Sequence, residues 1–317
     1  MKEVLRILPQ SIQQIFLKLP EKEIQHIEEI RCRIGQPLEL VTSDNYFLRG
    51  SRQFPVFNEK EAEDMLQKLS NYSLYTLEEE LKRGYITIQG GHRVGLSGRV
   101  ITEQGHVRRI RDVSSFNIRI AREIIGVATP LIPYLNNKEK RWKSTLIIGS
   151  PRTGKTTLLR DLARIISEGC QESSIPPRKV GIIDERSEIA GCIRGIPQNQ
   201  LGSHVDVLDA CPKAEGMMMM IRSMSPHVLI VDEIGRKEDS EALIEAMNAG
   251  VSVIATIHAN GYEQVSRRPM MKTLLREKVF DRFIEVTSFP KKKQTRMGRI
   301  TDIRDENGLS LLHVKEF

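Results

Sequence analysis

Residues 144–156 read STLIIGSPRTGKT, a short apolar run followed by a loop that satisfies G-x-x-x-x-G-K-[ST] from Gly149 to Thr156. The helical pattern KTTLLRDLARIISEG continues from Lys155, so the motif stands between a strand and a helix, the context its chemistry requires. Glycines at 149 and 154 permit a tight loop whose backbone N–H groups, with the helix N-terminus, surround a β-phosphate. Ser150, Pro151, Arg152 and Thr153 complete that loop. Lys155 is placed to bridge β- and γ-phosphates, Thr156 to ligate magnesium through its hydroxyl, and Thr157 to cap the helix or reach the α-phosphate. The expected cofactors are ATP and Mg2+.

From residue 144 onward, Val/Ile-rich runs alternate with helical segments. KVGIID (179–184) follows a Pro-Pro turn, HVLIVDE (227–233) leads into SEALIEAMNAG, and VSVIATI (251–257) follows at once. That alternation predicts an α/β domain with a mostly parallel sheet buried on both faces. Ligands of open α/β sheets bind at the carboxyl ends of the strands, and three of these runs end in chemically useful residues. Asp232 can hold magnesium through its waters, and the adjacent Glu233 is placed to orient and deprotonate an attacking water. Glu233 therefore favours hydrolysis over transfer to a small acceptor. Asp184 and Glu185, in IIDERSEIAG, put a second acidic pair at the same edge, which a cation must offset.

His258, in ATIHAN (255–260), reads on its own as a polar residue closing a buried strand. Beside the other strand ends it becomes a fourth catalytic element, with Thr256 to His258 sensing the γ-phosphate or positioning water. Sequence does not separate those two roles. The expected catalytic set is thus Glu233, His258, Asp184 and Glu185, with Thr156 and Asp232 for the metal.

Upstream, SIQQIFLKL, IQHIEEIRCRI and EAEDMLQKLSNYSLYTLEEELKRG carry helical spacing, whereas PLELVTSDNYFLR and FPVF read as short strands. YITIQGGHRVGLSGRVITEQGHVRRIRDVSSFNIRIARE alternates apolar and polar residues around Gly pairs, as antiparallel hairpins do. The expected organisation is an α+β N-terminal domain over 1–125, a linker over 126–143, and the nucleotide domain over 144–317. The four cysteines form no C-x-x-C pair, so neither a zinc site nor a disulfide framework is expected. No apolar run reaches the roughly 20 residues of a membrane span, and the N-terminus has no signal-peptide core, so a cytoplasmic location is expected. MMMM (217–220) reads as adaptable core packing. The net charge of +7 is concentrated between Arg267 and Arg299, where eleven basic residues face three acidic ones. Such a segment suits a solvated face, an anionic surface or nucleic acid.

The order of phosphate loop, acidic box IIDERSEI, VDE strand and T-x-H box resembles the secretion-superfamily ATPases of type II and type IV secretion and pilus assembly. More narrowly, EIRCRIGQPLEL, GGHRVGLSGRV, SFNIRIARE, GIPQNQLGSHVDVLDACPKAEGMMMMIRSMSP and VDEIGRKEDSEA resemble the stage III sporulation AA family over nearly the whole chain. The resemblance implies a RecA-like ATPase domain behind the N-terminal domain and a homo-oligomeric, hexameric ring. It also implies sporulation membrane-complex partners at the cytoplasmic face, and a place in the mother cell, peripheral to the membrane that faces the forespore. On that resemblance Gly149 to Thr156 match the Walker A loop, Asp184 and Glu185 the acidic box, Asp232 and Glu233 the Walker B end, and His258 the histidine box. Arg119, Arg122, Arg186, Arg194 and Arg222 are unranked candidates to complete a neighbouring site. The tetracysteine module of many type II secretion ATPases is absent. A nucleic-acid-dependent RecA-like motor is the alternative, suggested by the basic segment, although nucleic acid is not the expected partner; a small-molecule kinase is a third reading.

Overall fold

The computed structural model describes residues 1–42, 54–70, 84–103, 105–137, 139, 141–287 and 299–312. They form two compact units, Met1–Arg122 and Glu123–Phe317.

In the first unit, helices α1 (Lys2–Ile7), α2 (Gln10–Lys18) and α3 (Glu21–His26) follow one another, with Pro9 and Pro20 at the N-caps of the second and third. Proline there fixes an extended entry and gives up an N–H that no helix could satisfy. Strands β1 (Ile27–Arg33) and β2 (Glu39–Thr42), helix α4 (Glu59–Ser70) and strands β3 (Tyr85–Ile88), β4 (His92–Glu103) and β5 (His106–Arg119) complete it. The sheet order is β2-β1-β5-β4-β3, antiparallel throughout. Ile12 and Phe16, four apart on α2, are buried in one apolar cluster with Met65 of α4 and Ile30, Phe116 and Ile118 of the sheet. The hairpins expected from residue 85 onward are present.

Two expectations change here. IQHIEEIRCRI is not one helix, because α3 stops at His26 and the rest is β1. A register shift between Ile27 and Glu29 lets Ile27 and Ile30, three apart, both be buried in a strand, so the helical spacing misleads. FPVF forms a single isolated bridge, Val56 to Pro37, flanked by backbone hydrogen bonds from Leu38 to Pro55 and from Phe57 to Gln36, and no full strand. The second halves of PLELVTSDNYFLR and of the long helical pattern, 43–49 and 71–83, lie outside the described residues.

The second unit opens with a 3-10 turn (Thr129–Leu131) and α5 (Ile132–Leu135). Then come β6 (Thr145–Gly149), α6 (Lys155–Glu168), β7 (Val180–Asp184), β8 (Val205–Asp209), α7 (Lys213–Met224) and β9 (Val228–Val231). α8 (Lys237–Asn248), β10 (Ser252–His258), α9 (Tyr262–Ser266), α10 (Pro269–Arg276), β11 (Arg282–Thr287) and β12 (Arg299–Arg304) follow. The strand order is β12-β11-β6-β10-β9-β7-β8, parallel except for β12.

All residues of β6, β7 and β9 are buried. Successive strand residues point to opposite faces, and here both faces are covered. Ile147, Ile182 and Ile230 pack with Leu158, Leu162 and Ile166 of α6, whereas Leu146, Ile148 and Val231 pack with Met217 and Met220 of α7 and Leu243 of α8. Two of the four methionines are therefore core; Met219 is 53% exposed. The expected linker over 126–143 is instead part of this unit's core. Ala128, Leu131, Leu135 and Trp142 are buried, and the Ala128 N–H donates to the buried Asp161 carboxylate of α6 at 2.8 Å. The polarity of NNKEKR concealed the apolar positions that flank it. Strands β8, β11 and β12 were not legible either: the first carries Asp206 and Asp209 along an edge, β11 lies in the basic segment and β12 begins at its end. Lys291, Lys292, Lys293 and Arg296 of that segment lie outside the described residues.

Candidate nucleotide site

The phosphate-loop sequence joins β6 to α6. Arg152 and Gly154 take φ of 63° and 86°, a left-handed path in which glycine carries no steric penalty. A Cβ on Gly149 would stand 2.6 Å from Thr153 Oγ1 and 2.7 Å from the Val286 carbonyl, so the loop closes only over a bare backbone. Thr153 Oγ1 donates to the Ser150 carbonyl at 2.8 Å, and the Ser150 hydroxyl donates to Asn260 Oδ1 at 2.8 Å, tying the loop to the segment after β10.

Lys155 is 5% exposed, and burial pulls its ammonium below the ordinary lysine range while Asp232 and Glu233 oppose that shift. Its Nζ donates to the carbonyls of Gly149 (2.8 Å) and Ser150 (2.9 Å) and meets His258 Nδ1 at 3.0 Å. An ammonium has donors only, so His258 Nδ1 accepts and the imidazole proton sits on Nε2. Nε2 faces Glu233 Oε1 at 3.6 Å. β10 lies between β6 and β9, with His258 in register with Gly149, and this order brings lysine, histidine and glutamate from three separate segments together.

Asp232 accepts from Thr156 Oγ1 at 3.0 Å and from the Thr256 hydroxyl. Thr256, fully buried in β10, also accepts the Glu233 N–H at 2.8 Å through the same hydroxyl oxygen. Glu233 has φ of 52°, a left-handed conformation that costs a non-glycine residue about 1–2 kcal/mol. Thr256 thus orients Asp232 and holds the strained turn that aims Glu233. Sequence reading placed Thr256 at this edge without that role; only the lateral order of strands reveals it.

The acidic box divides in two. Asp184 is 1% exposed, and its carboxylate accepts N–H bonds from Glu188 (2.8 Å), Ile189 (3.0 Å) and Ala190 (2.8 Å). Burial raises its carboxyl to about 6 in spite of those donors. Arg160 of α6 clamps the same loop, donating to the carbonyls of Glu188 and Ile189 at 2.9 Å each. Asp184, expected among the catalytic residues, has its carboxylate oxygens engaged by the N–H groups of its own loop. Glu185 remains at the edge, paired with buried Lys213 of α7 and 4.0 Å from Arg236, and the hydrogen bond from Lys213 holds its carboxyl below the usual range. Asp184, Glu185, Arg186, Glu188, Lys213, Asp232 and Glu233 line one small cleft.

Of the five candidate arginines, Arg186 touches the cluster, 3.2 Å from Glu233 Oε2. Arg122 donates to the Ile27 carbonyl at 2.7 Å, and Arg119 stands 3.9 Å from Glu29, both inside the first unit. Arg194 and Arg222 are exposed elsewhere on the second unit. Lys213, Arg268 (whose guanidinium donates to the His258 carbonyl) and Asn260 are site neighbours that sequence reading did not single out.

The sequence matches the family described as "Sporulation stage III, protein AA" over residues 1–311. It is 53% identical to the stage III sporulation protein AA of Bacillus subtilis (strain 168), over 97% of this chain and 96% of that protein. In fold it is similar to the Legionella pneumophila ATPase DotB (TM-score 0.57, 16% identity, 94% of this chain and 82% of that one). It is also similar to the pilus retraction motor PilT with bound ADP (TM-score 0.51, 15% identity, 84% and 76%).

Proposed function

Because the chain belongs to the sporulation stage III protein AA family, we propose that it is a magnesium-dependent ATPase that works as a homo-oligomeric, hexameric ring. In this reading it drives a secretion-like membrane complex between mother cell and forespore, from the cytoplasmic side of the mother cell. The observation that carries the ATPase part is one connected series of polar contacts: Thr156 to Asp232, Asp232 to Thr256, Thr256 to the Glu233 backbone, Glu233 to His258, and His258 to Lys155. That series supports nucleotide hydrolysis better than a merely capped strand end, because it gathers an ammonium, a general base and hard oxygen donors at one sheet edge.

The residues fit magnesium and ATP. Thr156 Oγ1 and Asp232 Oδ2 are hard oxygens 3.0 Å apart, the kind of donors magnesium takes beside substrate phosphates. When bound, the ion supplies positive charge to the β- and γ-phosphate oxygens. Lys155 exchanges its two loop carbonyls for phosphate oxygens, which are stronger acceptors for an ammonium. The Glu233 carboxylate takes a proton from water as the water oxygen bonds to the γ-phosphorus; the bond to the bridging oxygen breaks, and ADP and phosphate leave. His258 presents its Nε2–H toward Glu233 and the incoming water, and Arg186 adds a cationic contact on the same carboxylate.

Glu233→Gln tests the chemistry. It is expected to bind ATP normally and to hydrolyse it at least about 100-fold more slowly, the usual contribution of a general base. Unimpaired turnover removes Glu233 from the mechanism. Molecular mass in solution with and without a non-hydrolysable ATP analogue tests the ring: a strict monomer with full turnover contradicts it. Stimulation by DNA that declines steeply with salt would instead identify the nucleic-acid motor.

A further inference from the structure

Helices α7 and α8 pack side by side and leave an open groove of about 720 Å3 on the second unit. Its apolar lining comes from Met218 and Met219 of α7 and Ile244 of α8, and Met219 is 53% exposed. Four glutamates, Glu215, Glu238, Glu241 and Glu245, line it as well, against the single basic residue Arg222. Lys237, 87% exposed, stands 3.5 Å from Glu241, a pair worth little in solvent. Among the described residues, Glu215, Glu238 and Glu245 make no ion pair. On α8 the positions 238, 241 and 245 recur at helical spacing, so the acids form a continuous stripe along one edge. Unbranched, polarisable methionine side chains adapt to whatever apolar face is laid on them.

Both helices begin at the catalytic edge. Lys213, the first residue of α7, pairs with Glu185, and Arg236, the N-cap of α8, stands 4.0 Å from that same carboxylate. The groove and the Glu185 contacts are thus joined through the same two helices.

We propose that this groove is a docking site for a basic amphipathic α-helix of a partner protein, whose apolar face covers Met218, Met219 and Ile244 while its lysines or arginines meet the glutamate stripe. An apolar stripe in an adaptable, acid-rimmed groove is the arrangement that reads such helices by their i, i+3, i+4 and i+7 positions. Docking changes ATP turnover through Lys213, Arg236 and Glu185; this second part rests on the ATPase reading, and the binding part does not.

The test uses the full chain and a synthetic helix of about 18 residues, long enough to hold helical structure, with leucines on one face and lysines on the other. A peptide of the same composition in scrambled order and a leucine/glutamate counterpart serve as controls, and binding is read by fluorescence anisotropy. The double variant Glu241→Lys/Glu245→Lys, with its thermal midpoint checked against wild type, reverses the stripe at exposed positions outside the nucleotide site. The expected result is at least tenfold weaker binding of the leucine/lysine helix to the variant, a gain for the leucine/glutamate helix, and weak binding of the scrambled peptide to either. Equal binding to wild type and variant, or scrambled peptide binding as tightly as the amphipathic one, overturns the proposal. So does a wild-type chain, without peptide, that self-associates in a manner abolished by the double variant, because the groove then belongs to a second copy. Phosphate release is measured with and without the bound helix: unchanged turnover refutes the coupling and leaves the docking site standing, whereas no ATPase in either condition refutes the ATPase reading and the coupling with it.

Discussion

Replacing Thr256 by valine keeps the shape of a fully buried strand residue and removes one hydroxyl. That hydroxyl donates to the Asp232 carboxylate and accepts the Glu233 N–H at 2.8 Å. A hydrogen bond to a charged group is worth about 1.5–3 kcal/mol and a neutral one about 1 kcal/mol, so the expected loss is about 3 kcal/mol. At about 2–4 °C per kcal/mol for a unit of this size, the melting midpoint falls by about 6–12 °C. The catalytic loss is larger than the stability change suggests. Glu233 sits at φ of 52°, and its N–H bond to Thr256 opposes relaxation of that strained turn. A displacement of about 1 Å at the base is sufficient for about a 100-fold drop in kcat. Nucleotide affinity changes by less than about threefold, because Lys155 and the loop carry most of the phosphate contacts. Phosphate release measures kcat, fluorescent ADP measures affinity and differential scanning fluorimetry the midpoint; Thr256→Ser, which retains the hydroxyl, recovers most of both losses. Wild-type kcat and midpoint in Thr256→Val would refute the role assigned to this residue.

Lys155→Ala removes the buried ammonium that bridges the loop and His258, and nucleotide affinity measured with fluorescent ADP is expected to fall at least about tenfold, the scale of one charge-assisted contact. His258→Ala leaves the loop intact and is expected to spare binding while lowering turnover by about 10- to 100-fold; unchanged turnover returns His258 to a capped strand end. Asp184 supplies a pH signature. Its carboxyl is raised to about 6 by burial, from an ordinary value of 3.8, so the native state takes up the proton before the unfolded chain does. The group's contribution to stability is therefore fully present below pH 3.8 and is lost as the pH rises through about 6. The difference in urea stability between wild type and the non-titrating Asp184→Asn should shift by about 3 kcal/mol over that window, two units being worth that much, and stay level above pH 7. A level difference across the whole window contradicts the burial effect.

What sequence revealed and what it concealed follow from the range of the interactions involved. GSPRTGKT announced its loop because the constraint is local: the glycines serve the backbone of their own turn, and strand and helix flank it directly. The βαβ rhythm after residue 144 was legible because parallel strands covered on both faces must be apolar throughout. Ile27 to Arg33 was misread because a bulge imitates helical spacing, and residues 126–143 because polar residues conceal short apolar anchors. Sequence alone therefore determined the phosphate loop, the parallel sheet and the residues at its carboxyl edge. Only tertiary structure decided how they are used. The order β6-β10-β9-β7 sets His258 between Lys155 and Glu233 and Thr256 beside Asp232, and it leaves Asp184 buried in its own loop while Glu185 pairs with Lys213. Strand order is a long-range outcome of packing, and no spacing along the chain encodes which strand ends become neighbours.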